Sequence, residues 1–560
     1  MCGFKACFAI AASLSLVPPL LAQTIAPNAP TFTSSTELVL VPTLVNDKSG
    51  AHISGLTKDE FALRQDGKSH AIAVFEEVRT NSTRLRRSEG EHGTFSNLET
   101  GTSEYHRLNI IVLDFVNTPL PDQSNARNEL LKFLSEVAES GEPMCLLALT
   151  SGGLTLVHDF TDDPKLLAEG LRKVKANTAP LIHESAVDPG HPPPSDALGA
   201  TLTKLIRGQL QAEAELASTE SKNSAFTTVQ ALQQIAKAFR GLPGRKSLIW
   251  ASSGFPFSLS PPSTLMCEPA CPVHQRNEMQ SAYDNLWKVM NDAQIAIYSV
   301  DLRSTASNIT RADEQSFTHP YDVGDPEFDT EAQAQWKRQD TDSTLQVFAE
   351  NTGGKAFLGG GNLVRSFRQA TQDDSTYYMI GYYVSRSSTK PGWHQVSVAI
   401  NRKGAHARYR NGFFLSRDTS TMSAQQDVRL ALTSPLDFVG LPVAVTWSGR
   451  DATKSIGKIR VRFDLVMPPN FASVDEIDQN HMVVDIAAVA RNRNGDVIAE
   501  LSQRIDTHLK PDGLGQIQHN GMTYRNGLQL PPGEYAVRFV VRDSLGNRMG
   551  SVTAPISIAP

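Results

Sequence analysis

Asp114 closes the run Leu-Asn-Ile-Ile-Val-Leu-Asp over residues 108–114, and the chain turns straight from it into a helical pattern. An almost wholly apolar strand is buried on both faces, which predicts the centre of a mainly parallel sheet with helices on either side. In such sheets ligands meet the carboxyl ends of the strands, so Asp114 stands where function is expected. The plain alternative is an acid that only caps the helix behind it. Other strand ends bring Thr150 with Ser151, Ser252 with Ser253, and Asp301 to the same rim. A polar rim of this sort belongs to any such fold, so it needs further support.

Other residue types that could do chemistry are sparse. The chain lacks Gly-x-Ser-x-Gly, Gly-x-x-x-x-Gly-Lys-Ser/Thr, His-Glu-x-x-His and Gly-x-Gly-x-x-Gly. Gly353-Gly354 and 359–361 lack a following Lys-Ser/Thr and read as turns. The histidines are scattered: His158 lies on a strand, and His319 with Asp322 lies in a loop. A hydrolase needs nucleophile, base and orienting acid, whose spacing in sequence is uninformative. The expectation is therefore a protein that is not an enzyme, with an envelope hydrolase as the alternative.

Positioning such a rim takes a long chain. At 560 residues it exceeds one core and calls for several domains. Composition is that of an ordinary globular protein, 40% hydrophobic and 20% charged, with net charge −6 and no basic block. Nothing in that balance recommends nucleic acid or an anionic membrane. Lys5, the apolar run 6–17 and the small residues around Ala22 and Gln23 read as a signal peptide over residues 1–23. No later segment reaches about 18 consecutive apolar residues, so the processed chain is expected to be secreted, or held in the periplasm or cell envelope, without membrane insertion. Signal removal leaves Cys145, in an apolar run, and Cys267 with Cys271 around Glu-Pro-Ala. In an oxidising compartment Cys267 and Cys271 could close a small disulfide ring. Two thiols alone make a poor zinc site.

Residues 36–79 read as short strands broken by turns such as Gln65-Asp66-Gly67-Lys68, a small β-module. Residues 80–105 are polar and aperiodic and read as a linker. Over 106–375 strands and helices alternate, which predicts a doubly wound, Rossmann-like α/β domain with insertions at 180–222 and 303–340. The second insertion reads as an acidic surface loop. Residues 376–415 return to strands that close this domain or pair with the N-terminal module. After a polar linker at 416–425, residues 425–560 read as a β-sandwich of roughly immunoglobulin size. The fold class expected is thus α/β plus all-β.

Several segments, occurring in order, resemble the von Willebrand factor type A-related family of secreted bacterial proteins. They are Gly55-Leu-Thr-Lys-Asp-Glu-Phe-Ala-Leu-Arg-Gln-Asp-Gly67, Leu113-Asp114-Phe-Val-Asn117-Thr118, Leu242-Pro-Gly-Arg-Lys-Ser-Leu-Ile-Trp-Ala-Ser-Ser-Gly254, Tyr298-Ser-Val-Asp301, Thr352-Gly-Gly-Lys-Ala-Phe357 and Arg408-Tyr-Arg-Asn-Gly-Phe413. The resemblance spans residues 36–415; residues 420–560 are similar to Ig-like modules only generically.

The resemblance implies a type A domain used for protein–protein interaction or adhesion. Type A domains often hold Mg²⁺ through an Asp-x-Ser-x-Ser loop, a Thr and a second Asp, with a partner carboxylate completing the shell; octahedral oxygen ligation suits that ion. Here Asp114 and Thr118 fit the loop, but Val116 replaces its middle Ser, Thr227 or Thr228 would supply the Thr, and Ser253 stands where the second Asp is expected. The expectation is therefore a secreted binding protein without a complete metal site. Asp114, Asn117, Thr118, Thr228 and Ser253 would form a hydrogen-bonded rim that recognises a protein partner. A Mg²⁺-dependent adhesin using Asp114 and Thr118 is the alternative within that class.

Overall fold

The run 109–114 folds as a strand that is buried at every position. Ile110 and Val112 enter one hydrophobic core while Ile111 and Leu113 enter another, as the two-residue period of a strand requires. Both faces of the sheet are therefore covered. The computed structural model describes residues 36–80, 89–90, 93–97, 108–136, 143–174, 219–255 except 221 and 243, 273–303, 330–415 except 360 and 374, and 421–559 except 454, 456 and 475–479. The expected signal peptide over 1–23 and the Cys267–Cys271 ring lie outside these residues, as does nearly all of the 180–222 insertion.

The central sheet has six strands, in the order Lys355–Phe357, Ile295–Asp301, Lys246–Ser252, Asn109–Asp114, Met144–Thr150 and Gly153–Thr161. The first five are parallel, and the last is an antiparallel edge joined by a tight hairpin. One face is packed by helices Leu120–Glu136, Pro164–Lys173 and Leu363–Gln372 through Leu130, Phe133, Leu167, Leu171 and Phe367. The other is packed by helices 222–239, Val273–Asp292 and Thr330–Thr352 through Leu232, Ile235, Leu286, Met290 and Phe348. Residues 330–340, expected within a loop, belong to the last of these helices. Their run Thr-Glu-Ala-Gln-Ala-Gln-Trp-Lys-Arg-Gln-Asp is rich in good helix formers but carries no apolar stripe that would announce a helix.

Two antiparallel sheets form a module from both ends of this region. Thr36–Asn46 pairs with Thr376–Ser385, and Phe61–Gln65 pairs with Gly392–Ile400, around a core that includes Val41, Leu63, Tyr378, Ile380 and Val396. Tyr378 is fully buried and pinned, accepting from the Leu56 backbone N–H at 3.0 Å and donating to the Ile53 carbonyl at 2.9 Å.

A second β-sandwich lies C-terminal, a five-stranded and a four-stranded sheet closed over Phe463, Ile486, Val537 and Phe539. Three expectations are corrected here. Residues 80–105 are not wholly linker: Thr94–Ser96 adds a strand against Ala444–Thr446 of this sandwich. Behind it Asn97 is buried, its amide donating to the Phe438 and Leu441 carbonyls at 2.9 and 2.6 Å and its carbonyl accepting from Val443 N–H at 3.0 Å. A short polar segment gives no periodic signal, yet pairing satisfies its backbone. Residues 421–433, read as linker and strand, form a helix because Val428, Leu430 and Leu432 pack into the α/β core. Pro511–Asn520 is likewise a helix within the sandwich, opened by proline at its first turn. The sandwich meets the α/β region where Gly241 lies against Gly440, with Val439 N–H bonded to the Ala238 carbonyl at 3.0 Å and Lys237 paired with Asp427 at 2.6 Å. The fold is thus mixed α/β with several antiparallel sheets. Among the described residues no helix is long and apolar enough to cross a membrane.

Candidate functional site

From Asn109–Asp114 the chain steps to Met144–Thr150 on one side and later returns to Lys246–Ser252 on the other. In sheets wound this way neighbouring loops diverge at that point, beyond the carboxyl ends of the two central strands. Asp114 and Ser252 are the last residues of those strands.

Asp114 is completely buried and accepts five hydrogen bonds. Its Oδ1 takes the backbone N–H groups of Val116 and Asn117, both at 3.1 Å. Its Oδ2 takes Asn117 Nδ2 at 2.7 Å, Ser252 Oγ at 2.9 Å and the Trp250 indole N–H at 3.2 Å. Burial pushes the carboxyl pKa up, while the donors of Asn117, Ser252 and Trp250 work against that rise. The Asn117 amide also donates to Thr228 Oγ1 at 2.8 Å, and Thr228 donates back along its helix to the Ser224 carbonyl at 2.9 Å. One turn further on, Thr118 Oγ1 accepts from Ser253 N–H at 3.1 Å, and Ser253 Oγ donates to Asp122 Oδ2 at 3.1 Å.

Asp114, Asn117, Thr118, Thr228 and Ser253 therefore come together, linked through four bonds within the set and through Ser252 and Asp122. Their expected outward role needs correcting: Asp114, Thr118, Thr228 and Ser253 are buried, and only Asn117 is half-exposed. The physical reason is that these polar groups bond to one another and to Ser224, Trp250, Ser252 and Asp122 rather than to solvent. What faces outward is the pair of loops they hold, with Leu120 40% exposed beside the first. Thr227 points elsewhere, donating to the Asn223 carbonyl at 2.8 Å.

The oxygens a divalent ion would use are engaged by hydrogen-bond donors in this arrangement. Such an ion needs oxygen lone pairs turned toward it. Both Asp114 oxygens instead face hydrogens, and the Trp250 indole N–H donates but cannot accept. Thr118 Oγ1 faces a backbone N–H as well. Among the described residues no cluster of three His, Cys, Asp or Glu side chains is placed to hold a metal.

A second buried pair lies at the end of the adjacent strand. Arg303 closes a fork on Asp301, Nε to Oδ1 and Nη2 to Oδ2, both at 2.8 Å, and reaches Asp342 as well. Asp301 also accepts from Gly359 N–H at 3.0 Å. Burial alone would lower the Arg303 pKa, but the bonds and charges of Asp301 and Asp342 hold it above its usual value. Asp122, Trp250 and Arg303 were not singled out from sequence. An acid in the first helical turn passes for a dipole partner, a strand tryptophan for core, and an arginine after a strand for surface.

No family model matches the chain, and no curated protein matches it. Among solved structures it is similar to a glycosyl hydrolase family 2 member from Bacteroides cellulosilyticus DSM 14838, with TM-score 0.15 and 12% identity over 33% of this chain and 20% of that one. It is similar to Bacteroides uniformis beta-glucuronidase, with TM-score 0.14 and 7% identity over 33% and 19%. It is also similar to the TFIIH p34 N-terminal domain, with TM-score 0.18 and 12% identity over 47% and 96%. The chain thus spans about a fifth of the two hydrolase chains, and likenesses this slight carry no argument about fold or function.

Proposed function

We propose that this chain is a secreted binding protein of the von Willebrand factor type A-related kind, whose Rossmann-like α/β domain docks a protein partner without using metal. The observation that carries the reading is the Asp114 network, sited at the switch point where a type A domain would hold its ion. A carboxylate that accepts five hydrogen bonds fixes the loops 115–119 and 253–255 in one arrangement before any partner arrives. Rigid loops bind with less ordering cost than mobile ones. Partner contact then falls to Asn117, Leu120 and their exposed neighbours, while Asp114 holds them from beneath. The β-module and the C-terminal Ig-like sandwich serve as supports or further contact surfaces.

The test places a photo-crosslinking residue at Leu120 and, as a control, at Lys68 on the far β-module, in the intact protein. Irradiation with envelope and culture-medium fractions should give a discrete adduct from position 120 alone. Equal adducts from both positions, or none from 120, would defeat the proposal.

A further inference from the structure

The segment 51–56 crosses the N-terminal module as a strap. Ile53 N–H donates to the Val45 carbonyl at 2.9 Å, Gly55 N–H to Glu77 Oε2 at 2.9 Å and Leu56 N–H to the Tyr378 hydroxyl at 3.0 Å; that hydroxyl donates in turn to the Ile53 carbonyl. Leu56 lies in the module's core, and Ile53 packs against it. His52 sits inside the strap, its ring stacked on Tyr378 with centroids 5.6 Å apart. Both ring nitrogens are sealed from solvent, and among the described residues neither makes a hydrogen bond. Three titratable or charged groups face the ring: Glu77 and Arg79 from the strand Val74–Arg79, and Tyr378. Glu77 Oε1 lies 3.6 Å from His52 Nε2, beyond hydrogen-bond length, and is shared with Arg79 at 3.5 Å.

Such a site suits a neutral imidazole. A second ring proton would leave a charged ring with Nδ1–H sealed away and no acceptor for it, a cost that Glu77 offsets only in part. Burial accordingly holds the His52 pKa below the usual histidine range, against the pull of Glu77. We infer that the strap is an acid-released seal: protonation of His52 frees residues 51–56 and uncovers Tyr378 and the rim of the module's core. The turn before it, closed by Asp47 N–H on the Ala51 carbonyl at 2.8 Å, serves as the hinge. A ring that resists its proton in the closed strap takes it more readily in the open one. The closing contribution is therefore complete above about pH 6.5 and is lost as pH falls below it. Burial works to raise the Glu77 pKa, but Gly55 N–H and Arg79 hold it below the ordinary range, so Glu77 stays ionised through this window.

The test is amide hydrogen exchange of the full chain at pH 7.5 and 5.5, with rates corrected for the intrinsic pH dependence of exchange. Protection at residues 53, 55 and 56 should fall about threefold or more at the lower pH, while residues 109–114 keep theirs. His52→Phe keeps a ring against Tyr378 but cannot take a proton, so its strap should be equally protected at both pH values. Glu77→Gln gives a second reading if His52→Phe loosens the strap at neutral pH. It keeps an acceptor for Gly55 N–H but removes the charge that favours imidazolium, so the acid response should grow. Equal protection of the parent strap at the two pH values, an acid response that persists in His52→Phe, or a response unchanged or smaller in Glu77→Gln would overturn the inference.

Discussion

The side-chain amide of Asn117 lies 2.7 Å from Asp114 Oδ2 and 2.8 Å from Thr228 Oγ1, donating one hydrogen to each. A single residue thereby ties the central strand to the helix 222–239 that packs on one face of the sheet. Its consequences can be measured.

Asp114→Ala removes the acceptor for five donors, several of them buried. Stranding buried donors costs about 1–3 kcal/mol each, offset in part by relaxation and water entry. A loss of about 3 kcal/mol or more in urea unfolding is expected. Titration with Mg²⁺ and Mn²⁺ should give no saturable heat in the parent protein; tight binding that vanishes in Asp114→Ala would show a metal seat instead.

Acid should act on this site in an unusual direction. A carboxyl with a raised folded-state pKa binds its proton more readily in the native state than in the unfolded one. Its favourable contribution is present below the ordinary carboxylate range, near 3.8, and is lost as pH rises through the raised value. Asp114→Asn cannot titrate, so the stability of the parent relative to this variant should fall as pH rises across that window. Urea midpoints from pH 3 to 8 for both proteins measure this; a difference independent of pH would contradict it.

Asn97→Ala should loosen the C-terminal sandwich without touching the Asp114 network. It leaves Val443 N–H and the carbonyls of Phe438 and Leu441 without their partner. A loss of about 2–3 kcal/mol is expected. Hydrogen exchange should quicken at residues 94–97 and 443 and remain slow at residues 109–114.

Gly241→Ala tests the junction between the α/β region and the sandwich. A methyl group at residue 241 would sit 2.0 Å from the Gly440 Cα, so one backbone must move. Overpacking of this kind costs about 1–3 kcal/mol or more. The variant should be cut sooner than the parent by a protease acting near residues 416–443, while Gly495→Ala, at an open turn, should leave cleavage there unchanged.

What sequence revealed depended on whether a residue's neighbours carry a periodic signal. The run ending at Asp114 announced a buried central strand because five apolar residues in seven have no other stable place. Its partners were less legible. Trp250 reads as core, and only the folded sheet brings its indole N–H to Asp114. Ser252 was visible as a strand end but not as a ligand of that acid. Asn97 and the strand before it were hidden because their order comes from a sandwich whose residues lie over 300 positions later. Burial turned Asp114 from an expected contact residue into an internal brace, which no pattern of residue types could have foretold.

The N-terminal module is assembled from both sides of the α/β region, so Leu56 meets the Tyr378 hydroxyl across 322 positions. During synthesis the opening strands emerge long before their partners exist, and their edges stand bare in the meantime. Completion of this module is therefore a late closing step, and a chain truncated before residue 376 would release strands with nowhere to pair. Shortened versions that begin or end inside the α/β region should aggregate, and any dissection of this protein has to keep residues 36–415 together.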